Sequence, residues 1–334
     1  MLKNGKYLAW ILDDEWIDHS VERAILERNG FDVKVTRFET LDAEWPIYAP
    51  YADGVIVQVG FPCYEDLIEK LDFCRVITAS SVGYNTIDLE AATRKGIKVT
   101  HVPEFCSEEV SDQTIAHMLT VTRRFPAYNR QVKEGKWDPM DTLPIQRFST
   151  NTVGFLGFGK IARRVAEKLK PFGVRLITYA PSVPKEIFSK YTVESVSFNE
   201  LLSQSTILSL HIPFKPENKN IIGYEQLKQM PKGSFIVNTS RGGLINEEDL
   251  YQAIVEGHIA GAGLDVLLNE PPDPNDPLLS LDQVYITPHS GYISDDALRE
   301  LKHKTCQNII DGVAGRPLVK VLNQEALNNF NRVV

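Results

Sequence analysis

The segment TVGFLGFGKIA, residues 152–162, decides the fold of the region around it. Its first five residues predict a strand, and the glycine-rich turn that follows opens a helix with apolar residues on one face. In such a turn the first glycine allows a tight bend and the second lets the backbone approach a pyrophosphate, while a small third residue, here Ala162, lets helix and strand pack closely. An ordinary glycine turn is the alternative. We predict a dinucleotide site with contacts from Gly157, Phe158, Gly159, Lys160 and Ile161.

Strand and helix patterns alternate on both sides of this turn. The predicted strands are KYLAWIL, FDVKVTR, GVIVQV, RVITAS and IKVTHV before it, and VRLITY, STILSL, SFIVN, AGAGL and QVYIT after it. This alternation is typical of an α/β fold with doubly wound, mainly parallel sheets. The length of 334 residues is enough for two such domains. We expect one from residues 1–101 plus 296–334, and the other, inserted into it, from residues 102–295.

Helices are predicted from caps and from apolar periodicity. One is expected over Trp16–Asn29, and a long one, SEEVSDQTIAHMLTVTRR, with Ser107 as its N-cap. The last, from Ser294 to about Asp311, precedes a tail, RPLVKVLN, that is expected to return to the first domain. The stretch of about residues 130–151 is rich in Pro, Gly and charge and is expected to be irregular.

The composition excludes several classes of function. A net charge of −8 without a Lys/Arg cluster argues against a nucleic-acid partner or an anionic membrane, and no apolar run is long enough to span a bilayer. No signal peptide is recognised, so we expect a cytoplasmic protein. The four cysteines lack a metal-ligand spacing, which predicts reduced thiols and no metal site.

Three polar residues stand in distinctive settings in the second half of the chain. They are Arg241 in NTSRGGLIN, Glu270 in LDVLLNEPP and His289 in ITPHSG. Beside a dinucleotide, they suit hydride transfer to a 2-keto acid. The arginine can bond the substrate in a bidentate way that Lys cannot, and the imidazole can supply the proton while the carboxylate keeps it charged and oriented. The alternatives are a surface Arg at a strand end, a structural His and a solvated loop acid.

The choice between NAD and NADP depends on the residue at the end of VRLITY. An acid there would hold the ribose hydroxyls of NAD, but the residue is Ala180. Without that carboxylate, the repulsion that excludes the 2′-phosphate of NADP is gone. Ser182 and Lys185 could contact the phosphate, although no Arg follows the strand to clamp it. The sequence therefore leaves NAD and NADP both open.

Together these motifs resemble the D-isomer-specific 2-hydroxyacid dehydrogenase family over about residues 50 to 323. The resemblance is carried, in order, by SVGYNTIDLEAATRKGI, EEVSDQTIAHML, VGFLGFGKIA, LHIPFKPENKNIIG, MPKGSFIVNTSRGGLIN, GLDVLLNEPP and TPHSG. HVPEFCSEEVSDQTIAHML and EGKWD are most similar to the branch that contains the C-terminal-binding-protein-like enzymes. The resemblance implies a flavodoxin-like substrate domain, a Rossmann cofactor domain with a cleft between them, and a homodimer.

The resemblance also implies a substrate loop, Ser81-Val82-Gly83, in which the amides of Val82 and Gly83 grip the substrate carboxylate. Ser81 stands where the family usually has glycine. An Arg that the branch usually carries near this loop is missing, since this chain has Ala79 and Ser80, which argues against dicarboxylate or phosphorylated substrates.

Further roles implied by the resemblance concern the cofactor and the pocket. Asp265 would bind the nicotinamide carboxamide, and His211 lies at a position beside the cofactor with either a binding or a structural role. Tyr292 is either a pocket aromatic or a core aromatic. Glu270 stands where the formate dehydrogenases of the family have Gln, which argues against formate oxidation.

We therefore predict an enzyme that uses NAD or NADP to reduce a small 2-keto acid to the D-2-hydroxy acid. One alternative is a cofactor-sensing binding protein that resembles the C-terminal-binding-protein corepressors. Another is a phosphoglycerate, hydroxypyruvate or glyoxylate reductase, which would differ only in the details of the pocket.

Overall fold

The computed structural model describes residues 5–141 and 144–326. The chain divides into two compact units, Met1–Phe105 with Ser294–Val334, and Cys106–Ile293. The strands are β1 (Tyr7–Leu12), β2 (Phe31–Thr36), β3 (Gly54–Val57), β4 (Val76–Ala79), β5 (Lys98–Thr100), β6 (Thr152–Leu156), β7 (Arg175–Tyr179), β8 (Glu194–Ser195), β9 (Ile207–Leu210), β10 (Ser234–Asn238), β11 (Ile259–Leu264) and β12 (Val284–Ile286).

Helices connect these strands in both units. They are α1 (Ser20–Arg28), α2 (Leu41–Tyr48), α3 (Glu65–Ile68), α4 (Leu89–Arg94), α5 (Ser107–Thr122), α6 (Phe125–Lys133), α7 (Lys160–Leu169), α8 (Lys185–Tyr191), α9 (Phe198–Gln204), α10 (Tyr224–Gln229), α11 (Glu247–Val255) and α12 (Asp295–Val313).

The first unit holds a parallel sheet in the order β2-β1-β3-β4-β5, which is the flavodoxin-like order. Because side chains alternate along a strand, Trp10 and Leu12 pack into one apolar cluster while Ala9 and Ile11 pack into another with Ile309 of α12. A side chain on Gly54 would come within 3.0 Å of Ile309, so glycine at this position lets α12 lie directly on β3.

The tail after α12 returns to the edge of this sheet, as the sequence predicts. Leu322 donates its amide to the Val99 carbonyl at 2.8 Å, and the Asn323 side chain accepts from the Val99 amide at 2.8 Å. Val321 forms an antiparallel bridge with Thr100. The tail thereby satisfies backbone groups that the edge strand β5 would otherwise leave open.

The second unit holds a parallel sheet in the order β12-β11-β10-β9-β6-β7-β8. Read from β8, this is the Rossmann order with one further strand, and the order reverses between β6 and β9. In such sheets ligands bind outside the carboxyl ends of the strands near this reversal. The α/β class with two doubly wound parallel sheets is confirmed.

The prediction of a helix from Trp16 is wrong, because α1 begins at Ser20. One carboxylate oxygen of Asp13 accepts the amides of Glu15 at 2.7 Å and Trp16 at 3.1 Å. These bonds hold the segment after β1 in a turn, which competes with helical hydrogen bonding.

Two further predictions about α5 and the stretch after it need correction. Ser107 is the first helical residue and not the N-cap, since Cys106, with φ −120°, occupies the N-cap position. Part of the stretch expected to be irregular is the end of α6, a helix with Pro near its start, where proline is tolerated. Residues 134–141 and 144–147 are irregular as expected.

Candidate active site

The glycine turn after β6 has the geometry that the sequence predicts for a phosphate-binding turn. Gly157 has a φ of +92°, and a side chain there would come within 2.7 Å of the His211 carbonyl oxygen. A side chain on Gly159 would meet no other atom of the described chain within 4 Å. Only glycine suits the first position, and the second is open at the amino terminus of α7. The turn thus fits a dinucleotide pyrophosphate.

The residues around the turn divide into buried and accessible ones. Phe158 is buried against Phe155, Phe188 and Tyr191, so that only its backbone is available to a ligand. Lys160 is exposed at the start of α7 and Ile161 is half-buried, while the buried Ala162 packs the helix onto its strand.

The end of β7 lacks a carboxylate, as the sequence indicates. Ala180 is buried in the apolar core, and Ser182 and Lys185 are exposed beyond it. The exposed side chains at this end can therefore donate hydrogen bonds, and the first acid after the strand is Glu186, within α8.

His211 follows β9 and packs beside the turn. Its amide donates to the Leu156 carbonyl at 2.8 Å, and Nε2 lies 2.9 Å from the Ser209 hydroxyl. Burial lowers the pKa of His211 to about 3, so the ring is neutral at physiological pH. Since its carbonyl also closes the space around Gly157, the residue shapes the turn through its backbone.

Arg241 lies in the loop after β10, and close backbone packing holds that loop. A side chain on Gly242 would come within 2.0 Å of the Leu267 carbonyl carbon, so the glycine lets this loop contact the loop after β11. The Asn238 side chain donates to the Arg241 carbonyl at 2.9 Å. Burial lowers the pKa of Arg241 while the charge of Glu270 raises it; the guanidinium is a cation at neutral pH.

Glu270 and His289 form the hydrogen bond expected from the sequence. His289 Nδ1 lies 2.7 Å from Glu270 Oε2, and Glu270 Oε1 accepts the amide of Leu267 at 2.9 Å. Burial would raise the pKa of Glu270, but these two bonds and the charge of Arg241 lower it overall. The carboxylate is therefore ionised at neutral pH, and Nε2 of His289 is left for a substrate.

Asp265, directly after β11, fixes the loop that carries His289. Its carboxylate accepts the amides of Ser290 at 3.0 Å and Gly291 at 2.9 Å, and its carbonyl accepts the amide of His289 at 2.8 Å. His289 itself has a φ of 51°, in the left-handed region. These hydrogen bonds offset the free-energy cost of that backbone conformation and fix the position of the backbone from which the imidazole projects.

A network that the sequence analysis missed supports Asp265 from α5. The Thr287 hydroxyl donates to the Asp265 carboxylate and accepts from Gln113 Nε2 at 3.0 Å. His117 Nε2 lies 3.1 Å from the same hydroxyl, whose single proton is already used, so His117 must donate. Burial lowers the pKa of His117 to about 4, against the opposing charge of Asp265, which keeps the ring neutral. In the sequence, the signal of this network is the i, i+4 spacing of Gln113 and His117, which places both side chains on one face of a helix.

The site residues of the second unit gather at one edge of its sheet. Gly157, Ala180, His211, Arg241, Asp265 and Thr287 each follow the carboxyl end of a strand. Because carboxyl ends of parallel strands lie on the same edge, the dinucleotide turn and the Arg241, Glu270 and His289 cluster share one face of the unit.

Comparison with known proteins decides the family. The profile described as "D-isomer specific 2-hydroxyacid dehydrogenase, NAD binding domain" matches residues 115–291, more than half of the chain. The chain belongs to the D-isomer specific 2-hydroxyacid dehydrogenase family. An oxidoreductase of 2-hydroxy acids with an NAD-binding Rossmann unit is thereby confirmed at the level of the family, and the matched region lies within the second unit.

Curated relatives of the family include several reductases. A D-3-phosphoglycerate dehydrogenase of Methanocaldococcus jannaschii is 38% identical over 83% of this chain and 51% of the relative, so the chain spans about half the length of that protein. A glyoxylate reductase of Korarchaeum cryptofilum is 36% identical over 82% of this chain and 84% of the relative. A solved D-lactate dehydrogenase from Aquifex aeolicus, complexed with NAD and lactic acid, has a TM-score of 0.82 at 26% identity and covers 96% of this chain and 98% of its own.

Tyr292 and the substrate loop complete the set of family positions. The ring of Tyr292 is half-buried and stands edge-on to His289, with centroids 6.5 Å apart, so it lies beside the imidazole. Ser81, Val82 and Gly83 lie in the first unit, directly after β4; Ser81 is buried and the other two are half-buried.

A large cavity elsewhere in the second unit is not part of this site. It encloses about 680 Å³ at the amino-terminal ends of β10, β11 and β12, and Arg124, Phe235 and Tyr285 are among the residues that line it. The site residues follow the opposite, carboxyl ends of the same strands.

The described residues contain neither a metal-binding cluster nor a membrane-spanning helix. No group of three or more His, Cys, Asp or Glu side chains within residues 5–141 and 144–326 is arranged to hold a metal ion. Over the same ranges, no helix combines the length and the apolar character needed to cross a membrane.

Proposed function

We propose that this family member reduces a small 2-keto acid to the D-2-hydroxy acid with NADH or NADPH. The observation that carries the proposal is the bond between His289 Nδ1 and Glu270 Oε2, which leaves His289 Nε2 as the proton donor of the pair. The nearby charge of Arg241 supplies the cation that a 2-keto acid needs. The open glycine turn on the same face supports the binding of a dinucleotide.

Each side chain has a distinct proposed role. Arg241 binds the substrate and polarises its carbonyl, because a guanidinium can bond the carbonyl and the carboxylate together. His289 donates the Nε2 proton to the forming hydroxyl, and Glu270 stabilises the charged imidazole before that transfer. Asp265 orients the His289 loop and binds the carboxamide of the cofactor. When bound, the nicotinamide cofactor supplies the hydride.

The other residues of the site are proposed to contact the substrate or the cofactor. Tyr292 lines the pocket beside His289, and the amides of Val82 and Gly83 in the first unit bind a carboxylate. The backbone around Gly157, Phe158, Gly159, Lys160 and Ile161 binds the cofactor phosphates, and His211 shapes that turn.

The residues before the substrate loop and the names of the relatives restrict which keto acids we expect as substrates. Relatives named glyoxylate reductase and hydroxypyruvate reductase support small, uncharged substituents on the keto acid. A phosphoglycerate-type substrate is less favoured, because the substrate loop follows Ala79 and Ser80 with no arginine. A corepressor role is also less favoured, since Arg241, Glu270 and His289 are all retained.

The assembly and location are proposed as a homodimer in the cytoplasm. The segment of the second unit around α6 exposes large apolar side chains, and Trp137 is 87% exposed. Monomeric proteins rarely expose such a group together, which supports a protein interface here. The four cysteines form no disulfide within the described residues, which supports a reducing compartment. Light scattering of the purified protein measures the oligomeric state, and a monomer at micromolar concentration would contradict the dimer.

The decisive experiment measures NADH and NADPH oxidation with pyruvate, phenylpyruvate, branched keto acids, glyoxylate, hydroxypyruvate and oxaloacetate, followed by chiral analysis of the product. We expect a D-product from at least one of them. Arg241→Ala should then reduce kcat/KM by at least about a hundredfold, because the half-buried cation that binds and polarises the substrate is lost. Normal turnover by that variant, or no turnover by the wild type on any substrate, would overturn the proposal.

A further inference from the structure

The loop Ser81-Val82-Gly83 has all three of its carbonyl oxygens bonded within the first unit. The Ser81 carbonyl accepts the amide of Val102 at 3.0 Å, and the Val82 carbonyl lies 2.8 Å from Nδ1 of His101. The Ser81 hydroxyl donates to the Gly83 carbonyl. In contrast, the amides of Val82 and Gly83 donate to no acceptor in the described part of the chain.

These bonds fix the directions of the two unused amides. A peptide group is planar, so its N–H points opposite to the C=O of the same group. The Val82 amide shares its plane with the Ser81 carbonyl, and the Gly83 amide shares its plane with the Val82 carbonyl. Because Val102 and His101 hold those carbonyls, both N–H groups are directed away from the segment 101–102.

Nδ1 of His101 is well placed to hold the Val82 carbonyl in this direction. A carbonyl oxygen only accepts, so Nδ1 of His101 must carry the hydrogen whether the ring is neutral or charged. The ring is half-buried and stands edge-on to Tyr84, with centroids 5.4 Å apart and an interplanar angle of 83°. This contact restricts the ring to an orientation in which the bond to Val82 is made.

We infer that His101 is a positioning residue for substrate binding: its Nδ1–H holds the Val82 carbonyl and thereby aims the Gly83 amide at the carboxylate of the keto acid. The inference rests on the proposed function, in which these amides bind the substrate. The effect belongs to binding and not to proton or hydride transfer, so it should change KM and leave kcat nearly unchanged.

Two variants test separately the hydrogen-bond donor and the aromatic ring of His101. His101→Phe keeps an aromatic ring against Tyr84 but removes the donor, whereas His101→Asn removes the ring but keeps an N–H donor at the δ position. His303→Phe is the matched control, because His303 also bonds a backbone carbonyl through Nδ1, that of Arg299, on the exposed face of α12 in the same unit. His101→Leu replaces the Phe variant if the latter does not fold.

The measurements are KM and kcat for the best keto acid, and the Kd of oxalate, a carboxylate probe that cannot accept a hydride. We expect the Phe variant to raise KM and the oxalate Kd by about tenfold, the loss of one hydrogen bond. The Asn variant should stay within about threefold of the wild type, and the His303 control should not change.

Three results overturn the inference: an unchanged KM and Kd in His101→Phe, equal losses in the Phe and Asn variants, or a fall in kcat alone. Failure of the proposed function is distinguishable, because oxalate binding does not require turnover. A wild type that binds oxalate and oxidises no cofactor would refute the proposed reaction, and the Phe and Asn variants would still test the loop.

Discussion

Glu270 joins the loop after β11 to His289 with one carboxylate: Oε1 accepts the Leu267 amide at 2.9 Å and Oε2 lies 2.7 Å from His289 Nδ1. The carboxylate is therefore held by backbone before it contacts the imidazole. Its pKa, raised by burial but lowered further by these bonds and by Arg241, lies below the ordinary value of 4.5. The pair contributes stability above pH 4.5 that is lost as the pH falls through the lowered pKa.

Glu270→Gln keeps the shape of this side chain and removes its charge. We expect kcat for keto-acid reduction to fall by about a hundredfold at neutral pH, because the protonated imidazole loses its anion. The defect should shrink as the pH is lowered, since solvent protons then compensate. A pH profile of kcat from 5 to 9 checks this, with Glu225→Gln on the exposed face of α10 as the control. A defect that is the same at every pH would contradict the assigned role.

The Thr287 hydroxyl joins α5 to Asp265 through hydrogen bonds. Thr287→Val is nearly isosteric and leaves Gln113, His117 and Asp265 each without one partner. We expect the free energy of unfolding to fall by about 1–3 kcal/mol, the cost of buried groups left without partners. Thr287→Ser keeps the hydroxyl and should recover most of the loss. Urea denaturation measures both, and equal stability of the Val variant and the wild type would refute the network.

His19 in the first unit is buried between two carboxylates, with Nε2 3.0 Å from Asp13 and Nδ1 3.5 Å from Glu22. Burial alone would lower its pKa, but the two carboxylates raise the pKa of His19 to about 9. This stabilisation is complete below the unfolded value of 6.5 and is lost as the pH rises through about 9.

His19→Gln should therefore destabilise the first unit most at low pH. We expect a loss of about 3 kcal/mol at pH 6, because two buried carboxylates lose the cation that lies between them, and a much smaller loss at pH 9.5. Urea denaturation at the two pH values, followed by the fluorescence of the buried Trp10, measures the difference. A loss of the same size at both pH values would show that the charge of His19 is not what stabilises the unit.

The sequence analysis predicts that the choice of cofactor depends on the end of β7, where Ala180 stands in place of an acid. Ala180→Asp places a carboxylate at the position expected to contact the adenosine ribose, and should raise the ratio of the KM for NADPH to the KM for NADH by at least about tenfold. Lys185→Ala should move the ratio in the same direction but less, because an exposed lysine contributes a weaker contact. A wild type that already rejects NADPH would refute the relaxed specificity.

The sequence predicts those parts of the structure that depend on local spacing. The turn at Gly157, the strands that lead to it, and the bond between Glu270 and His289 follow from short motifs. The Thr287 network joins α5 to a residue 170 or more positions away, so the spacing of Gln113 and His117 indicates a shared helix face but not the residue that they contact. The bond from His101 to Val82 spans 19 positions, and the motif that begins at His101 does not indicate which carbonyl its ring contacts. Likewise, the Asp13 carboxylate delays the start of α1 through bonds that helix propensity ignores.

The return of α12 to the first sheet has a consequence for biosynthesis. Ala9 and Ile11 lie on one face of that sheet, and Ile309 of α12 packs on them. Gly312 of the same helix lies directly against Val76. A ribosome that has made residues 1–293 has therefore released every strand of the first sheet but not the helix that shields it. The second unit is continuous, so it can fold as soon as its last residues have left the ribosome. The amino-terminal unit is synthesised first and completed last. The apolar surface that α12 covers stays exposed until then, and it is the surface that a chaperone would bind on the nascent chain.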